Sequence, residues 1–149
     1  MALPPFNDVG DLPIGVHRVS LGEAIDRLGT TNARRRAIGL RLDRIYRLSK
    51  ATGHVLRFIV FGSFVTAKSD PNDVDVFLVM DDDFDAAQLS PLTASLFDHS
   101  AAQAQYGASI FWIRALAAWD GVDAAVEYWQ VKRGGGTRGI VEIIPENTP

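Results

Sequence analysis

Two aspartates one residue apart, Asp73-Val74-Asp75, open an apolar run that begins nine residues after Gly62-Ser63 closes another. Side chains alternate faces along a strand, so carboxylates at 73 and 75 leave the chain on the same side. A Gly-Ser turn lets backbone come close to a phosphate, with the Ser63 hydroxyl and backbone N–H as donors. Magnesium and manganese take hard oxygen ligands, commonly one or two protein carboxylates completed by phosphate and water. Together these residues suit a metal-bound phosphate: Asp73 and Asp75 as metal ligands, Gly62 and Ser63 as the phosphate turn. Phe64–Lys68 is expected to begin a helical turn aimed at the same anion, with Lys68 as the nearest cation. Each half alone has a duller reading, since Gly-Ser often follows a strand and Asp often follows a Pro-Asn turn such as Pro71-Asn72. Their order and spacing make the conjunction informative.

The elements that must hold this motif are legible on either side. Leu56–Phe61 and Val74–Met80 read as buried strands, joined by the motif's spacer. Ser20-Leu-Gly-Glu23 has capping-box spacing and is expected to start a short helix to about Leu28. Gly29-Thr-Thr-Asn32 caps a longer one over 33–51. In it Ile38, Leu42, Ile45 and Leu48 share a face, with Arg36, Arg44, Arg47 and Lys50 opposite, and Gly53 ends it. Ala86–Tyr106 reads as mostly helical with a break or new first turn at Pro91. A third strand is expected at Ala108–Ile113, then a helix over Leu116–Val131 with an interruption at Asp120-Gly121. Gly134-Gly-Gly136 forces a turn before a last strand, Gly139–Ile144. Residues 1–19, with prolines at 4, 5 and 13, read as an irregular arm, and 145–149 as a polar tail. The expected architecture is a single α+β domain over 20–144, a small mixed sheet flanked by helices.

Composition narrows the class. The chain has 149 residues, 47% hydrophobic and 22% charged, which is a folded domain rather than a disordered segment. Cysteine is absent, which excludes disulfides and thiolate metal sites and fits a reducing cytoplasm. No apolar stretch approaches the roughly 18 residues of a membrane span, and the start lacks the pattern of a signal peptide. A net charge of −3 argues against wholesale nucleic-acid binding. The charge is nevertheless segregated: eight of the 15 basic residues lie between Arg34 and Arg57, and seven of the 18 acids between Asp70 and Asp85. Arg34-Arg35-Arg36 is either a solvated helix face or a grip on an RNA or protein acceptor or on an acidic partner surface. His17, His54 and His99 are scattered and read as structural. Trp112, Trp119 and Trp129 read as core before base-stacking residues. Lys132, Arg133 and Arg138 around the glycine turn are a secondary candidate for phosphate contact.

Phe61-Gly62-Ser63, the spacer and Asp73-Val74-Asp75-Val76 resemble the signature of the nucleotidyltransferase superfamily, the polymerase-beta-like fold. Leu12-Pro-Ile-Gly-Val-His17, Gly62-Ser-Phe-Val-Thr-Ala-Lys68 and Thr137-Arg-Gly-Ile-Val141 look like an uncharacterised bacterial nucleotidyltransferase-like family over nearly the whole chain. The resemblance implies an NTP substrate held through Mg2+ or Mn2+ on Asp73 and Asp75. It also implies transfer of a nucleoside monophosphate to a hydroxyl of a protein, RNA or small molecule. Two departures stand out. The third carboxylate such enzymes carry on a later strand is expected at Ser109, leaving Asp98, Asp120, Asp123 or Glu142 as substitutes. The turn after Ser63 also holds Phe64, Val65 and Thr66 where many transferases have arginine. The alternative is a catalytically inactive nucleotide-binding or protein-interaction module. Small stand-alone members of the superfamily often sit in toxin–antitoxin or phage-defence pairs, so a partner protein is implied as well.

Overall fold

A computed structural model describes residues 2–146; the last three positions of the expected polar tail lie outside the described residues. The chain builds one mixed sheet from five strands: β1 (Val16–Val19), β2 (Val55–Phe61), β3 (Val74–Met80), β4 (Ala108–Arg114) and β5 (Ile140–Ile143). Their order across the sheet is β1-β5-β2-β3-β4, with β1 parallel to β5, β2 antiparallel to both β5 and β3, and β3 parallel to β4. The expected α+β domain with a small mixed sheet is the observed one.

Helices cover one face of this sheet. Helix α1 (Leu21–Leu28) starts where Ser20 Oγ accepts the Glu23 N–H, and α2 (Ala33–Lys50) where Asn32 Oδ1 accepts the Arg35 N–H. Their apolar stripes, Leu28 with Ile38, Leu42 and Ile45, bury against Phe58, Val60, Val76 and Leu78 of β2 and β3. The parallel β3–β4 pair needs a long crossover. Residues 81–107 supply it as two short helices, α3 (Pro91–Ala94) and α4 (His99–Tyr106), within the stretch read as mostly helical, and the new first turn expected at Pro91 is the start of α3. Pro91 sits at the first helical position, where a missing N–H costs nothing.

The second face is only partly covered. Ile59, Phe77, Val79 and Ile140 form a smaller core there with Val126 of α5 (Val122–Glu127). The helix expected over 116–131 is this short α5 between two 3-10 turns, Ala115–Ala117 and Tyr128–Gln130, because Gly121 at φ 94° interrupts the helical path. Asp73 and Asp75 share this second face with Phe77 and Val79 by strand alternation, at the end that α5 leaves open.

The arm is where the expectation of irregular structure fails. Residues 16–19 are strand β1, and Leu3 and Leu12 are buried in the main core. Its backbone is tied into the sheet: Leu12 O accepts from the Gly139 N–H, Gly15 O from Ile140, and the Gly15 N–H donates to Gln130 Oε1 at 2.7 Å. Proline punctuation hid a four-residue strand, whose parallel partner lies more than a hundred residues downstream. No helix among the described residues is long and apolar enough to cross a membrane.

Candidate functional site

Strand direction brings the site together. β2 runs opposite to β3 and β5, so the end of β2 meets the beginnings of β3 and β5. β4 and β1 run parallel to β3 and β5 respectively, so their beginnings fall at that same end. Gly62-Ser63, Asp73, Asp75, Ser109 and Arg138 therefore converge from segments far apart in sequence. They line a cleft of about 700 Å3. A comparable depression, about 760 Å3, lies against β1 and the arm, but it lacks the Asp-Asp and Gly-Ser pairing.

The motif is packed as the spacing suggested. Phe61 pairs with Asp75 across β2–β3, which sets Gly62 directly over the Asp75 carboxylate. A Cβ at position 62 would overlap Asp75 Oδ2, and the backbone there has φ 80°, so glycine is required on both counts. Residues 63–65 form a single 3-10 turn, earlier and shorter than the helical turn expected over Phe64–Lys68, and its Phe64 and Val65 side chains are buried.

Two carboxylates in a half-closed cleft repel each other. Burial, then the neighbouring charge of Asp73, raises the Asp75 pKa from 3.8 to about 6. The Ser109 hydroxyl and the charges of Arg133 and Arg138 pull the other way without cancelling that rise. Ser109 is the register partner of Asp75, on the strand where a third acid was expected. Its hydroxyl donates to Asp73 Oδ2 at 3.2 Å and accepts from Gln103 Nε2 at 2.6 Å; Gln103 Nε2 also reaches Asp73 Oδ2 at 3.4 Å. A neutral amide and hydroxyl thus stand beside Asp73. Gln103, on the last turns of α4, carried no signal in the sequence; only the β3–β4 crossover brings it there.

None of the four substitute acids lines this cleft. Asp98 caps α4 through the Ala101 N–H, and Glu142 and Asp123 are held by Arg57. Asp120 is not among the lining residues either. Among the described residues no group of three or more His, Cys, Asp or Glu could hold a metal ion. The donor set fits one hard divalent cation on two carboxylates, with remaining positions filled by ligand phosphate or water.

Two expected site residues move elsewhere. Lys68 is exposed and does not line the cleft, because the chain turns away after residue 65 to pass beneath α2. Arg35 is not a surface cation: it is 4% exposed, and its guanidinium donates to the carbonyls of Leu28, Phe64, Thr66 and Lys68. Burial lowers its pKa. Arg34 is also engaged, donating to Pro71 O and Asn72 O at 2.8 Å each. Arg35 is thus a brace under the turn, not a cation of the cleft. Of the Arg34-Arg35-Arg36 run, the exposed members are Arg34 and Arg36.

The cleft's cations are Lys132, Arg133 and Arg138, and its apolar wall is built by Phe61, Phe111, Tyr128 and Trp129. Trp129 packs against Phe61 with centroids 4.4 Å apart and against Phe111 at 5.1 Å, the rings tilted by 34° and 32°. The other tryptophans divide: Trp112 packs in the core, its indole N–H donating to Phe97 O, whereas Trp119 is 95% exposed, contrary to the core reading. The three histidines stay outside the cleft, His17 beside Pro13 O and His54 beside Asp81.

The model of a family of unknown function, DUF6932, matches residues 4–144. The chain belongs to that family. No curated protein and no solved structure matches the chain. The DUF6932 match runs from the arm through β5, so it contains every residue of the cleft.

Proposed function

We propose that the cleft binds a nucleoside triphosphate through one magnesium or manganese ion, and that the protein acts as a nucleotidyltransferase. The observation that carries this reading is the placement of Asp73 and Asp75 on one sheet face, directly beneath the Gly62-Ser63 turn. Asp73 and Asp75 would hold the ion, which when bound neutralises charge on the phosphate oxygens. Gly62-Ser63 would carry the phosphates, and the aromatic wall of Trp129 and Phe111 offers apolar ring surface to a base. In transfer, a hydroxyl oxygen of the acceptor bonds to the α-phosphorus as the bond to pyrophosphate breaks. The hydroxyl's proton passes to solvent water, since Ser109 and Gln103 stand where a base would be needed.

That same pair favours a second reading, a domain that binds nucleotide without transferring it. The sequence resemblance to nucleotidyltransferases supports the shared part of both readings, the metal–nucleotide site. A thermal-shift screen of wild type and Asp75→Asn against each NTP, with and without Mg2+ or Mn2+, tests that part. A ligand at about 100 times its Kd stabilises by roughly 2.7 kcal/mol, several degrees for a domain of this size. A metal-dependent shift lost in the variant supports the site, and no shift with any NTP overturns it. Labelled pyrophosphate release in the presence of hydroxyl acceptors then separates transfer from binding.

A further inference from the structure

Between α5 and β5 the chain makes a tight reversal closed by a bridge between Val131 and Thr137. Lys132 N–H donates to Gly136 O and Gly135 N–H to Lys132 O, and all three glycines have positive φ, 89°, 109° and 80°. No atom lies within 4 Å of where a Cβ would stand on Gly134 or Gly135, so the tip is open on the outside. What the reversal carries is charge. Lys132, Arg133 and Arg138 all line the cleft.

These three cations are not equivalent. Asp11 of the arm, with its side chain 8% exposed, takes Lys132 Nζ at 3.0 Å and Arg138 Nη1 at 3.6 Å. One buried carboxylate thus fixes two cations and leaves a net positive charge. Arg133 has no ion pair or hydrogen bond among the described residues and is exposed. Across the cleft stand Asp73 and Asp75, and no salt bridge joins them to the three cations. Opposite charges that share a cleft without closing on each other leave room for a ligand bearing both a metal-bound part and a free anionic tail.

We propose that Arg133 and Arg138 bind the terminal phosphates of the nucleotide, with Asp11 a positioning residue that holds Arg138 and Lys132 at the cleft. The inference rests on the metal–nucleotide reading and deepens it: the site selects triphosphates over monophosphates. The metal-side carboxylates and the arginines then grip opposite ends of one polyanion.

The test is calorimetric titration with NTPs, the matching NMPs and inorganic tripolyphosphate in the presence of Mg2+. It uses wild type, Arg133→Gln, Arg138→Gln, Asp11→Asn and Asp75→Asn. Arg133→Gln removes an exposed, unpaired group and should leave the fold intact, as thermal melting of the free protein would check. Expected is a loss of about tenfold or more in NTP and tripolyphosphate affinity in both arginine variants. NMP affinity should stay near the wild-type value, so that selectivity for the longer phosphate chain falls. Asp11→Asn should reduce the same selectivity, a change that a merely structural arm contact would not produce. If Asp75→Asn abolishes NTP binding while both arginine variants keep wild-type selectivity, the phosphate-tail assignment fails and the metal–nucleotide reading survives. If wild type binds neither NTP nor tripolyphosphate, both fall.

Discussion

Asp75 carries a conflict between stability and the proposed metal-binding role. Its folded pKa, about 6, lies above its ordinary 3.8, so the folded state holds a proton that the unfolded chain has released. Its contribution is therefore most favourable below pH 3.8 and is lost as pH rises through 6. Above that, the unpaired charge costs up to about 3 kcal/mol at 1.36 kcal/mol per pKa unit. Asp75→Asn should accordingly raise the melting temperature of the metal-free protein at pH 7.5. The gain should shrink to a small remainder on titration to pH 4, as melts across that range would record. A variant no more stable than wild type at pH 7.5 would mean that the carboxylate is not strained. Protons would also compete with metal at the proposed site, so any Mg2+-dependent stabilisation of wild type should be larger at pH 7.5 than at pH 5.

Glu142 is the opposite case on the same sheet face. Burial alone would raise its pKa, but hydrogen bonds from Arg57 and Arg18 outweigh it and hold the pKa below the usual value. Arg57 grips it with two bonds, 2.8 and 2.7 Å, in a pair whose side chains are 15% and 7% exposed. The stability this gives is present above the ordinary glutamate pKa and fades as pH falls below it. Glu142→Gln leaves Arg57 largely buried with only the exposed Asp123 to balance it. The expected cost is about 3–5 kcal/mol, readable by urea unfolding at pH 7.

At the scale of elements, the turn that would hold phosphate depends on α2. A five-donor guanidinium is placed where the loop after Ser63 turns several carbonyls inward, and a buried carbonyl without a partner costs about 1–3 kcal/mol. Arg35→Met removes every donor at once. It should destabilise by about 3 kcal/mol or more and speed amide exchange over residues 63–68 before the rest of the sheet. Arg35→Lys should rescue little, because one ammonium cannot reach the carbonyls that the planar fork spans. The strap formed by β1 and the residues before it is the other dependent element. Leu12→Ala, at a fully buried position, should cost about 2–5 kcal/mol in urea unfolding.

For the whole molecule, the arrangement is asymmetric by design of the chain path: long helices seal one face, and short α5 leaves the end of the other open. Asp73 and Asp75 stand at that open end, half-buried under the Gly62-Ser63 turn rather than sealed beneath a helix.

Much of this was legible in the sequence. The alternation of apolar and acidic residues specified β3 and set both aspartates on one face. The Gly-Ser turn and its spacer located the end of β2 that faces the aspartates, and the capping residues Ser20 and Asn32 located α1 and α2, because caps, periodicity and turns are local physics. Only the tertiary structure decided what stands around the aspartates. The β3–β4 register sets Ser109 and Gln103 beside Asp73, antiparallel β5 brings Arg138 to the mouth, and parallel β1 delivers Asp11 to Arg138. Burial turned Arg35 from a surface cation into a brace, and chain direction took Lys68 out of the cleft. Such pairings join residues up to 127 positions apart, Asp11 to Arg138. Spacing along a chain carries no record of which distant strand end will lie alongside.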